Sequence, residues 1–385
     1  MMLTDLKIII KSLCLLCLSL VLECVRAEPV PEINAAAYVV ADQQSQTILA
    51  SRDLDSRIEP AALTKLMTTY LVFQALQSGK LKPESMLTLP TSGWQSDGSR
   101  IFMQPDVPMK AETVIQGMLT ISANDAAITL ATAISGSEKA FVRQMNEEAE
   151  KIGLKNTHFI NCTGQAAEGQ YSSVGDLLQL AQLLIQKFPQ YQNWFAIKSF
   201  TNNGITQLNR NLLLFRDDKV DGLAVGYTIN GGYNLAVSSK RNGRSIIAIL
   251  VGTDSSEARA AEGSKLISWA LTSFNVAKLY DGEHKITDLS VYKGDKPSVP
   301  IGFIDTAYVT QPSDGAKKLK LQLEAVRPVV APIRKGLVLG TLKLINENNQ
   351  VVAEKDVVAL EEVKEARGRD GWFNRLWYWF TNLFA

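Results

Sequence analysis

The 385-residue chain carries 40 basic against 39 acidic side chains, a formal charge of +1, so no basic excess points to nucleic acid. Its two histidines, His158 and His284, are too few for a histidine metal site or a Ser-His-Asp triad, and any acyl-transfer chemistry would take its base from lysine. Of the four cysteines, Cys14, Cys17 and Cys24 fall near the N-terminus and Cys162 stands alone beyond them.

Taken in chain order, Lys7 and Lys11 precede an apolar run, Leu13 to Leu22, that is too short to span a bilayer. Val25-Arg26-Ala27 then offers small residues for a signal peptidase, so residues 1–27 read as a signal peptide and the protein as exported. Glu23 before Cys24 fits a lipoprotein signal poorly. After cleavage Cys162 remains alone, a small buried residue rather than a reactive thiol, with no disulfide partner and no redox pair. The rest is long enough for two domains held by hydrophobic burial.

Residues 35–50 read as a strand pair, with Ala37-Tyr38-Val39-Val40 and Thr47-Ile48-Leu49-Ala50 flanking a polar turn. A helix over 62–78 follows Pro60. Helical spacing also covers 112–133, 138–152, 173–187 and 257–274. Tyr233 to Ser238 and Ser245 to Val251 form a hairpin turning at Arg241-Asn242-Gly243-Arg244. Strands at both ends with helices between make 28–283 an α+β domain. From 284 to 363 the alternation in Leu319 to Val326 and Thr341 to Ile345 predicts a small all-β sandwich. No catalytic cluster falls in it, so it reads as a spacer or binding module. Residues 364–385 form a charged linker and an amphipathic helix, with Trp372, Phe373, Leu376, Trp377, Phe380, Leu383 and Phe384 on one face. That aromatic face fits a membrane surface through residues 371–385. The expected location is the periplasm, peripherally anchored to the outer face of the cytoplasmic membrane.

The chemistry-bearing phrases are Pro60-Ala61-Ala62-Leu63-Thr64-Lys65-Leu66-Met67-Thr68, then Ser122-Ala123-Asn124, then Val220-Asp221-Gly222-Leu223-Ala224-Val225-Gly226-Tyr227-Thr228. They fall in the order and spacing of S-x-x-K, S-x-N and K-T-G. With Asn156-Thr157-His158-Phe159, Gly169 to Ser173, Asn203-Gly204-Ile205, Gln207-Leu208-Asn209-Arg210-Asn211 and Gly232-Tyr233-Asn234-Leu235, the chain resembles the D-alanyl-D-alanine carboxypeptidases. These are the small penicillin-binding proteins, and the likeness runs over nearly all of the chain after the signal.

The resemblance implies a penicillin-binding, β-lactamase-like transpeptidase domain, a trailing β-domain and an amphipathic tail, with no cofactor and no metal. It implies a serine acyl-enzyme that releases terminal D-alanine from peptidoglycan stem peptides. By this likeness Lys65 is the base, Ser122 the proton relay and Asn124 the substrate-amide ligand. Ala224, Val225 and Gly226 occupy the strand that holds the substrate backbone and carboxylate. The nucleophile position is Ala62, however, and Ala224 and Val225 stand where lysine and threonine belong, with Tyr227 at the usual histidine.

Losing a serine nucleophile costs about a million-fold in turnover. Losing the cation and hydroxyl of the carboxylate site costs about 2–5 kcal/mol in binding. Thr64 lies two residues from Ala62 and faces another way on a helix. Ser290-Val291-Tyr292-Lys293 repeats the S-x-x-K spacing on an expected strand, where its ends face opposite ways. The expected function is a catalytically inactive family member that binds the stem peptide or a cell-wall protein. The alternatives are an active carboxypeptidase trimming pentapeptides, or a structural envelope protein.

Overall fold

The computed structural model describes residues 29–313, 320–347 and 349–366. The expected signal peptide (1–27) and the amphipathic helix within 371–385 lie outside the described residues. The chain divides into two compact units between Thr272 and Ser273.

In the first unit, strands β1 (Ala37–Asp42), β2 (Ile48–Arg52), β3 (Val220–Thr228), β4 (Gly232–Arg241) and β5 (Arg244–Thr253) form one sheet in the order β2-β1-β5-β4-β3. All the pairings are antiparallel. β1 and β5 are buried nearly throughout, as apolar strands in the middle of a covered sheet must be. β3 forms one edge, so only one side of its backbone is paired within the sheet.

Helix α1 (Lys65–Gln77) is entered through a 3-10 turn at Ala61–Thr64. Leu66, Met67, Tyr70, Val72 and Phe73 are all buried to the last few per cent, because a helix apolar on every side belongs inside a core. Phe73 packs against Phe188, Tyr191, Trp194 and Phe195 with ring centroids 4.7–6.0 Å apart. The start of α1 is therefore fixed from within. Helices α2 (Ala111–Ile121), α3 (Asn124–Ser135), α4 (Glu138–Lys151), α5 (Val174–Lys187) and α6 (Ser256–Ser273) complete the unit, with a small hairpin, Ser199–Asn202 with Ile205–Leu208.

The single helix expected over 112–133 is two helices. Ser122 takes a left-handed conformation at φ 59° and Ala123 is extended, which ends one helix and starts the next.

The second unit is all β. Six strands order as Lys320–Ala325, Val338–Ile345, Val351–Ala359, Ser298–Gly302, Lys285–Tyr292 and Val329–Val330. Leu289, Val291, Val299, Ile301, Leu342 and Val357 are among the residues of its core. This unit begins at Ser273 rather than at 284, because Phe274–Tyr280 pairs as a strand with Ala307–Pro312. Ser290 lies on the strand Lys285–Tyr292, which Lys293 follows, with wholly buried Val291 between them. The second S-x-x-K phrase thus forms no helical turn. Among the described residues, no helix is long and apolar enough to cross a membrane, and no His/Cys/Asp/Glu group is arranged to hold a metal ion.

Candidate active site

The three phrases converge in the first unit. The turn Ala61–Thr64 is held between two close backbone approaches. Ala61 has φ 49°, a costly conformation for a residue with a Cβ. Its carbonyl faces Gly164, where an added Cβ would sit 1.9 Å from the oxygen. On the other side a Cβ on Gly226 of β3 would sit 2.9 Å from the Ala62 nitrogen. Only glycine lets the loop and the strand press this tightly on the turn. The side chain of Asn161 shapes the loop, its Oδ1 accepting from the Gly164 nitrogen at 2.7 Å.

Ala62, Lys65, Ser122, Ala224 and Val225 line one narrow cleft, with Leu66, Met118, Phe195 and Leu223 among its apolar walls. Its free volume is about 20 Å³, room for about one water molecule. The Ala62 methyl belongs to this lining and carries no oxygen.

Lys65 is 5% exposed. Its Nζ donates to Asn124 Oδ1 at 2.7 Å and to the Thr163 carbonyl at 2.6 Å. The opposite end of the Asn124 amide donates to the Asp97 carbonyl at 2.7 Å, so both termini of that side chain are fixed. Burial pulls the Lys65 amine from its ordinary 10.5 down to about 7, because desolvation penalises the ammonium. Asp125 acts against that shift, and Arg210 acts with it. Burial also pushes the Cys162 thiol well above its usual range, so it is neutral near pH 7 and supplies no anion there. Lys65 is consequently a fair fraction neutral at physiological pH, which a proton acceptor requires.

Asn124 joins Lys65 directly; Ser122 lines the same cleft on the break between α2 and α3. Gly226 is buried against the turn, and its carbonyl accepts from Arg259 Nη1 at 3.2 Å. Arg259 also donates to the carbonyls of Asn234 and Arg210, and burial lowers its guanidinium to about 10. Tyr227 is 54% exposed, with its ring 4.5 Å from that of Tyr233. Thr64 is fully buried, and its hydroxyl has no hydrogen-bond partner among the described residues.

The sequence reading missed Thr163, Arg210 and Arg259. Arg210 lies in the segment Gln207 to Asn211 and Arg259 in the helix Ser256–Ser273, and neither stands in one of the three motif phrases.

A family model described as D-alanyl-D-alanine carboxypeptidase matches residues 24–255, and one for the C-terminal domain of penicillin-binding protein 5 matches residues 274–365. The chain is 34% identical over 357 residues to the D-alanyl-D-alanine carboxypeptidase DacA of Haemophilus influenzae, covering 91% of this chain and 90% of that one. It is 33% identical over 344 residues to DacA of Escherichia coli, covering 87% and 85%. Among solved structures, penicillin-binding protein 5 from Haemophilus influenzae superposes with a TM-score of 0.80 at 32% identity, covering 87% of this chain and 99% of that chain. Penicillin-binding protein 6B from Escherichia coli gives a TM-score of 0.71 at 30% identity, covering 86% and 98%.

Proposed function

This chain belongs to the D-alanyl-D-alanine carboxypeptidase family of peptidoglycan metabolism, and from that premise we propose that it works there by binding rather than by cleavage. The observation that carries this reading is the Ala62 methyl in the cleft lining, where the family's chemistry needs a serine oxygen one helical turn from the lysine. Without that oxygen no acyl-enzyme forms, whatever base stands beside it. What would remain is recognition. β3 is the sheet's edge strand and borders the cleft, so an extended stem peptide can add to its unpaired backbone. Gly226 lets the strand itself lie close against the turn Ala61–Thr64. Ala224 and Val225 bring no charge to a terminal carboxylate, so binding through β3 would rest on main-chain hydrogen bonds.

A second reading, an active carboxypeptidase, has one observation in its favour. Lys65 keeps a buried amine near pKa 7 beside Asn124, in the same cleft as Ser122. The experiment that separates the two readings incubates the purified protein with a D-alanyl-D-alanine pentapeptide. Binding without release of D-alanine supports a binding protein. Release of D-alanine above the rate of a protein-free blank overturns it.

We further propose export and peripheral attachment to the membrane through residues 371–385, on the strength of the leader and the tryptophan-rich tail in the sequence. Truncation before Gly371 should move the mature protein from the membrane fraction to the soluble one. Continued sedimentation with membranes would place the anchor elsewhere.

A further inference from the structure

Beyond the cleft, on the far side of Gly226, lies a second and larger depression. It has a volume of about 740 Å³ and is lined by Glu59, Tyr227, Asn230, Tyr233 and Asp254 among others. Its floor is partly glycine backbone, Gly231, Gly232 and Gly252. The Tyr227 and Tyr233 rings stand 4.5 Å apart at 40°, and the Arg259 guanidinium lies 5.7 Å from the Tyr233 centroid. Tyrosines held this way present a rigid apolar face at low entropic cost. Ile229 at the rim is 89% exposed.

The chemistry of this lining is selective. No lysine or arginine is among the described residues that form it, whereas Glu59 and Asp254 both carry carboxyl groups. An anionic ligand would meet repulsion there. A neutral molecule with an apolar ring face and many hydroxyls would find aromatic rings for the one and carboxylate and amide oxygens for the other. We propose that this groove is a saccharide subsite, binding an uncharged N-acetylated sugar of the glycan strand. The inference rests on the cell-wall reading above and extends it.

The placement fits such a ligand. Tyr227 directly follows Gly226, so groove and cleft share β3. A stem peptide lying along β3 would carry its sugar towards the groove, since three extended residues span about 10 Å. Tyr227 is also the residue that departs from the usual histidine, so the aromatic platform is a feature of this chain's own sequence.

The test titrates a short chitooligosaccharide into the mature full chain, read by saturation-transfer NMR and calorimetry, with a sugar-free stem pentapeptide titrated in parallel. Saturable binding in the millimolar range is expected. It should weaken at least about tenfold in Tyr227→Ala and stay within about twofold in Tyr227→Phe, which keeps the ring. Thermal unfolding of each variant checks that the fold is unchanged. If the pentapeptide binds and the saccharide does not, the subsite is refuted while the cell-wall reading stands. Failure of both ligands overturns both. Equal saccharide binding by the wild type and Tyr227→Ala also refutes the inference, since the platform would then take no part.

Discussion

The two walls of the cleft have fared differently. On the helical wall Lys65, Asn124 and the Thr163 carbonyl form a closed, buried network that ties the start of α1 to the start of α3 and to the loop before Gly164. On the strand wall Ala224 and Val225 offer only apolar side chains. The helical network is part of the architecture: removing one partner would leave the others buried and unsatisfied, at a cost of about 1–3 kcal/mol each. Side chains at 224 and 225 that served a ligand would have no such duty once the ligand's demand lapsed. Intact Lys65 and Asn124 are therefore weak testimony for catalysis, and altered strand residues are strong testimony about ligand recognition.

The largest expected effect tests whether the helical wall still contains a working machine. Wild type should form no penicilloyl adduct by intact-mass spectrometry, and Ala62→Ser should form one, a gap of up to about a million-fold in rate. A wild-type adduct would break the contrast, and its position, at Thr64 or Ser122, would name the substitute nucleophile.

The next effect belongs to the strand wall. Adding Ala224→Lys and Val225→Thr to Ala62→Ser should raise the second-order acylation rate by roughly 30- to 3000-fold, from about 2–5 kcal/mol of restored electrostatics. If the single variant is already as fast as the triple, the strand changes are not lesions. If the triple stays inert while folded, the cleft has changed beyond its motifs.

A smaller effect reads the buried base through stability. Lys65 binds its proton less tightly folded, at about 7, than unfolded, at 10.5. Between those values the unfolded chain holds more protons, so stability attributable to Lys65 rises with pH and the penalty is full below pH 7. Relative to Lys65→Met, wild type should gain about 1.4 kcal/mol per pH unit from pH 7 to about pH 10. Denaturant melts across that range measure it. A parallel pair of curves would mean that the amine is not desolvated.

The smallest effect concerns Thr64. Its hydroxyl is buried without a partner among the described residues, so Thr64→Val should raise stability by about 1 kcal/mol and leave ligand binding unchanged. A loss of binding would show that Thr64 reaches the cleft after all.

Much of this arrangement was legible in the sequence. Pro60 and the apolar run after it mark α1, and the spacing of the three phrases points to Ala62, Lys65, Ser122, Asn124 and Gly226. What sequence could not supply was set by tertiary contacts. Residues 112–133 keep an apolar rhythm through Ser122 and Ala123, with no glycine or proline at those two positions to mark the break. The break is held by the Asn124 nitrogen, which donates to the Ser99 carbonyl from a distant loop. The compact units divide at Ser273, where Phe274–Tyr280 leaves the helix before it without a breaker that sequence would register. The displaced proton affinity of Lys65 depends on how completely neighbouring chain segments exclude water, which no local phrase records.

The clamp on the turn at Ala61 and Ala62 has a consequence for how the protein could be put to use. Gly164 and Gly226 press on the backbone from both sides, so the path of the chain at position 62 is held by backbone contacts. The position behaves as a socket in a rigid jig. A thiol or a hydroxyl installed there, each adding one heavy atom, would inherit the same aim at the cleft and the same amine one turn away. That makes the chain a ready chassis for comparing warheads, with geometry held constant and chemistry as the only variable.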